Sequence, residues 1–257
     1  MAPIEVAQRL PDFHLHALHL GGPGSQAFFD HAKPYAMLKE STERVVQSLY
    51  PKALKDAEPP SVRSVTLRLI EEDGVAFTRS SEIDKDHKEI MLSTLYLEKV
   101  FESSGRNAER LRREIEGVLT HELVHVFQYD GRGTVPGGVV EGVADWVRNE
   151  HGLNPPHWSE RMPAADQKWD TGYETTAFFL RWLSQRFRGS LLVPSLNLAM
   201  RRQTWDEGRH LGQLLEGHNV EDLWEEYKKS FIHGQSPAPE ISPPVPTHLP
   251  GYRPGYT

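Results

Sequence analysis

His121-Glu122-Leu123-Val124-His125 reads His-Glu-x-x-His inside a segment of helical periodicity. On a helix, positions i and i+4 share one face, one turn apart, so both imidazoles reach the same cation. Glu122 projects beside them. Two nitrogen ligands plus a carboxylate free to handle the proton of a metal-activated water is the donor set of a zinc hydrolase. The spacing also predicts the local fold. A long helix runs from Asn107 to Tyr129, with Leu111, Ile115, Val118, Leu119 and Val126 on its apolar face, and the histidines fall in its last turns.

A catalytic zinc takes three protein ligands and keeps a fourth position open. One arrangement places a further His six residues after the second. Here that position is Gly131, which cannot ligate. The other takes a Glu from a following helix, and Glu141, sixteen residues after His125, opens such a helix. Asp145, one turn further on the same face, is placed to accept the remaining ring N–H of His121 and fix its tautomer. A solvated acidic face is the plain alternative for Glu141 and Asp145. Pro136-Gly137-Gly138 lets the backbone turn toward the metal. Gln128, one turn past His125, is either a hydrogen-bond partner of the site or a solvated helix end. Arg148 is expected to pair with Glu150 or Asp145.

Working outward, Phe13 to Leu20 is expected to form a first strand. His14, His16 and His19 on it make either a second metal cluster or a solvated face, with the solvated face preferred. A helical stretch follows from an N-cap at Ser25 to Leu49, broken near Pro34. Val65, Leu67 and Leu69 mark a second strand, and Asp73-Gly74 signals a hairpin returning through Val75 to Thr78. Glu89 to Ser93 is a further strand. Beyond Thr94 the pattern is helical, with helices expected at 138–150, 173–186, 194–203, 205–215 and 220–232. The fold class is therefore α+β: a small N-terminal mixed sheet with helices over about 13–93, then a mainly helical part over about 94–234. Residues 1–234 are expected to form one domain. Residues 235–257 hold seven prolines in 23 positions and are expected to be a disordered tail, with partner binding by 243–246 as the less favoured reading.

Composition narrows the function classes. The chain of 257 residues has no cysteine, so there is no disulfide framework or thiolate ligand, and any metal rests on His, Asp or Glu. A net charge of -7 argues against nucleic acid or an anionic membrane as partner. No apolar run is long enough to span a bilayer. Met1 to Val6 show no basic region leading into an apolar one, which favours a cytoplasmic location, or a secreted one if a leader has been removed. The sequence does not set the oligomeric state.

The segments THELVHVFQYDG (120–131) and PGGVVEGVADWVR (136–148) closely resemble the plant basic secretory protein family, which has bacterial and fungal members and is classed with zinc metallopeptidases. The resemblance extends to DGVAFT (73–78), KEI (88–90), PPHW (155–158) and GYETTAFFL (172–180), and covers about residues 13 to 232. It implies a zincin-like fold and a peptidase-type site, and it carries over His121, Glu122 and His125. Glu141 as third ligand rests on analogy with zinc peptidases that use a downstream Glu. The name-giving proteins are basic and secreted; this chain is acidic and shows no leader.

The expected activity is hydrolysis of peptide bonds in a peptide or protein substrate. One Zn2+ is held by His121, His125 and Glu141, and Glu122 acts as general base. Tyr173, ahead of an apolar helix face, is the candidate oxyanion donor, or else a core or cap aromatic. Trp146, Trp158 and Trp169 are cleft walls or, more readily, core. Two alternatives stand beside this: a metal-dependent amidase with a non-peptide substrate, and a non-enzymatic protein with a vestigial or structural metal. A fourth ligand from His151 or His157 would close the site and favour the structural reading.

Overall fold

The computed structural model describes residues 10–201 and 203–232. The proline-rich tail lies outside the described residues. The fold is α+β. Four strands, β1 (Asp12–Ala17), β2 (Ser64–Ile70), β3 (Ala76–Ser80) and β4 (His87–Ser93), form one mixed sheet in the order β1-β2-β4-β3. β1, β2 and β4 run parallel, and β3 pairs antiparallel to β4.

This order corrects the hairpin expected at Asp73-Gly74. The chain does reverse there, but β3 does not pair with β2. The reason lies in burial. Ile90, Met91, Leu92 and Ser93 are buried in succession on β4, so that strand needs cover on both faces and takes the inner position. β3 is short and mostly exposed, which suits an edge.

The helices follow the expected order. α1 (Pro23–His31) and α2 (Pro34–Leu49) are separated at Pro34. The first helix starts at Pro23 with Gly22 as N-cap, not at Ser25. Proline at the first helical position needs no N–H partner, and Ser25 is buried within the first turn. After β4 come α3 (Thr94–Ser103), α4 (Ala108–Phe127), α5 (Gly137–Glu150) and α6 (Tyr173–Arg186). A single 3-10 turn (Gly189–Leu191) leads into α7 (Leu192–Ala199), α8 (Glu207–Gly212) and α9 (Val220–Ile232).

α4 is the central element. Leu111, Ile115, Leu119, Leu123 and Val124 are fully buried, and α2, α3, α5 and β3 all contact it. Asn107 caps its start by accepting from Arg110 N at 2.9 Å. Its end is also tied down: Tyr50 Oη donates to the Phe127 carbonyl, and Tyr129 N donates to Asn197 Oδ1 at 2.9 Å. Among α6 to α9 an aromatic core gathers around Phe179, whose ring centre lies 5.0 Å from Trp224 and 5.5 Å from Tyr227. Trp146 and Trp169 are buried as core residues. No helix of the described residues is long and apolar enough to cross a membrane.

Candidate metal centre

α4 and α5 pack side by side, and two glycines of α5 set how closely α6 approaches. A Cβ on Gly138 would sit 1.8 Å from the Asp170 carbonyl oxygen, and one on Gly142 would sit 2.2 Å from Thr176 Cγ2. Thr176 in turn locks the turn before α6, accepting from Gly172 N at 2.8 Å and donating to the Trp169 carbonyl at 2.7 Å. Glu141, which lies between the two glycines in sequence, meets the histidines of α4.

The three candidate ligand atoms form a small triangle. His121 Nε2 is 3.0 Å from Glu141 Oε2 and 3.1 Å from His125 Nε2, and His125 Nε2 is 3.6 Å from Glu141 Oε2. His121, His125 and Glu141 make the one group of three or more His, Asp and Glu able to hold a metal ion among the described residues. His14, His16 and His19 are exposed and form no such group.

Each imidazole has a partner on its other nitrogen. His121 Nδ1 donates to Asp145 Oδ1 at 2.6 Å, and Asp145 is almost fully buried. His125 Nδ1 lies 2.8 Å from the Gln128 side-chain nitrogen, while Gln128 Oε1 is buried without a partner. Turning that amide over gives the His125 N–H the acceptor it needs when Nε2 binds a cation, and gives Gln128 Oε1 a donor.

The charges agree with a cation site. Burial opposes a charge on His121, but the hydrogen bonds to Asp145 and Glu141 outweigh it and raise its pKa to about 9. Burial likewise opposes charge on Glu141, and hydrogen bonds from His121 and then His125 hold it well below the usual carboxylate range. The pair therefore favours one positive charge at the triangle, carried by a proton or a metal ion.

The triangle opens into a cleft of about 1000 Å³. Glu122, Tyr173, Trp158 and His157 line it, as does β3 through Ala76, Phe77 and Thr78. Glu122 is 5% exposed, and its Oε2 accepts from Thr78 Oγ1 at 2.7 Å. Tyr173 is 60% exposed and holds a left-handed backbone, φ 49°, directly after Gly172 at φ 103°. Repulsion from Glu141, then burial, raise the pKa of its phenol, which keeps it a donor.

His157 stands at the cleft but outside the ligand group, and His151 is engaged elsewhere, 2.9 Å from Ser48 Oγ. Arg148 pairs with neither Glu150 nor Asp145. It reaches across to α4, donating to Glu114 Oε1 at 2.9 Å and to the Leu153 carbonyl at 2.8 Å. Gly117 makes room for it: a Cβ there would lie 2.7 Å from the guanidinium. Glu114 is 1% exposed and also accepts from Tyr96 Oη at 2.8 Å. The roles of Arg148 and Thr78 depend on contacts across 34 and 44 residues that spacing along the chain does not signal.

Residues 10–227 match the family model described as a peptidase of plants and bacteria. The chain belongs to that family. The match agrees with the resemblance read from the motifs at 120–131 and 136–148. No curated protein and no solved structure matches the chain.

Proposed function

We propose that the protein is a zinc-dependent metallopeptidase with His121, His125 and Glu141 as metal ligands and Glu122 as general base. The observation that carries this reading is the ligand triangle with Glu122 beside it in the same cleft. A tetrahedral zinc with bonds of about 2.0–2.1 Å needs donor atoms about 3.3 Å apart. The three edges of 3.0, 3.1 and 3.6 Å bracket that separation. Neither His151 nor His157 joins the group, which favours a catalytic site with a free position over a closed structural one.

When bound, zinc supplies Lewis acidity: it lowers the pKa of a water it holds toward about 7 and polarises a carbonyl oxygen. The residues of the chain do the rest. Glu122 takes a proton from the attacking water and delivers it to the leaving amine. Asp145 and Gln128 hold the two rings in the orientation that turns both Nε2 atoms to the triangle. Tyr173, protonated and at the cleft, donates to the developing oxyanion. Its left-handed backbone is a strain of the kind found at working sites. Among the described residues β3 is an edge strand, and its outer edge along the cleft is placed to pair with an extended peptide.

The test is metal analysis of the purified protein together with peptide hydrolysis before and after chelation. The expected result is one zinc per chain, activity lost on chelation and regained with zinc. A protein that carries zinc yet cleaves small amides and no peptide would replace this reading with an amidase. One that cleaves neither would leave a metal-binding protein without catalysis.

A further inference from the structure

We propose that Thr78 is the positioning residue of Glu122. The inference rests on the peptidase reading for its functional consequence, and on three structural observations for the contact itself.

First, Thr78 is turned toward α4 by the alternation of an edge strand. On β3, Ala76 and Thr78 are half-buried, while Phe77 and Arg79 are exposed. The inward position that faces Glu122 carries a hydroxyl.

Second, that hydroxyl meets both oxygens Glu122 offers from its near side. Thr78 Oγ1 lies 2.7 Å from the carboxylate Oε2 and 3.0 Å from the Glu122 carbonyl. It is the only hydrogen-bond donor to the Glu122 side chain among the described residues. Among the described residues no Lys or Arg forms an ion pair with Glu122, although it is 5% exposed.

Third, the contact leaves one oxygen free. Glu122 Oε1 makes no hydrogen bond among the described residues, and Glu122 lines the cleft.

A glutamate side chain has three rotatable bonds, and freezing them carries a large entropic cost. A general base must nonetheless lie within hydrogen-bond reach of the proton it takes, and an error of about 1 Å costs about a hundredfold in rate. Thr78 solves this locally. Its branched Cβ restricts χ1, so the hydroxyl is itself well placed before it meets the carboxylate. Pinning Oε2 fixes the plane of the carboxylate and leaves Oε1 as the oxygen that serves a water in the cleft.

The experiment compares Thr78→Val, which keeps the shape and removes the donor, with Thr78→Ser, which keeps the donor. For Thr78→Val the expected kcat is about 10- to 100-fold lower, with KM and bound zinc within about twofold of wild type. Thr78→Ser restores most of the loss. A kcat for Thr78→Val within about twofold of wild type, or an equal loss in both variants, overturns the proposal.

A second measurement does not depend on activity. In the metal-free protein Thr78→Val lowers the thermal midpoint by about 2–4 °C, and by roughly half that or less when Glu122 is already Ala. Equal shifts in the two backgrounds assign the effect to the Glu122 carbonyl and overturn the carboxylate contact. If Thr78→Val does not fold, Thr78→Ala replaces it in both measurements. A zinc-loaded wild type that cleaves no peptide overturns the peptidase reading instead, and the thermal comparison then decides the contact alone.

Discussion

Replacing Gly142 by Ala tests whether the packing of α5 on α6 sets the position of the third ligand. The new Cβ would sit 2.2 Å from Thr176 Cγ2 and 2.5 Å from Thr176 Cβ. Relaxed carbon contacts need about 3.5 Å, so the helices must part by roughly 1.3 Å at this point. Overpacking of this kind costs about 1–3 kcal/mol, and the better helix propensity of Ala returns about 1 kcal/mol. The net loss is about 0–2 kcal/mol, which lowers the thermal midpoint by no more than about 8 °C in a chain of this length. The consequence for the site is larger. Glu141 and Asp145 flank Gly142 and move with it, whereas metal ligands tolerate errors of only about 0.2 Å. Zinc affinity, measured by competition with a chromogenic chelator, should fall by at least about tenfold while the protein stays folded. Adding Thr176→Ser removes the clashing methyl but keeps the hydroxyl that bonds Gly172 N and the Trp169 carbonyl, and should recover part of the affinity. Wild-type zinc affinity in Gly142→Ala would refute the idea that this contact places the ligand.

Glu114→Leu should destabilise the protein by about 3–5 kcal/mol in denaturant unfolding, because it strands the buried Arg148 guanidinium. Adding Arg148→Met should restore only part of that, since Arg110 and Tyr96 also lose their partner in Glu114; no recovery would deny that Glu114 and Arg148 act together. His151 gives a pH dependence. Burial, helped by Arg44, lowers its pKa from 6.5 to about 4, so the unfolded chain binds a proton that the fold refuses. Stability from this residue is intact above about pH 6.5 and drains as pH falls toward 4, amounting to at most about 2 kcal/mol at pH 5. The urea midpoint should therefore drop less between pH 7 and 5 in His151→Gln than in wild type, and equal drops would assign the effect to other groups.

What could be read from the sequence was what is local. Two histidines four apart, and a Glu and an Asp four apart on the next helix, define faces by helical period alone. The structure brings His121, His125, Glu141 and Asp145 into one cluster. Pro34 marked the break between α1 and α2, and the bounds of α6 and α9 followed from their apolar spacing. What depended on distant contacts was not readable. The hairpin signal at Asp73-Gly74 is real as a turn, but turn chemistry does not say which strand lies beside which. The competing demand, burial of both faces of β4, decided the order. Spacing pairs Arg148 with carboxylates near it in sequence, whereas its partner is Glu114 on the neighbouring helix. Thr78 closes the DGVAFT segment of the resemblance, but nothing in that segment points to Glu122; its meaning comes from lying against it.

The division of labour between Glu122 and the ligand triangle is the centre of the account, and Glu122→Gln tests it in one preparation. The amide keeps the size and the hydrogen bond to Thr78 but cannot take a proton. The expected result is zinc still at one per chain, with peptide hydrolysis down by about 10²- to 10⁴-fold. Loss of zinc from this variant, or hydrolysis close to the wild-type rate with zinc retained, would contradict it.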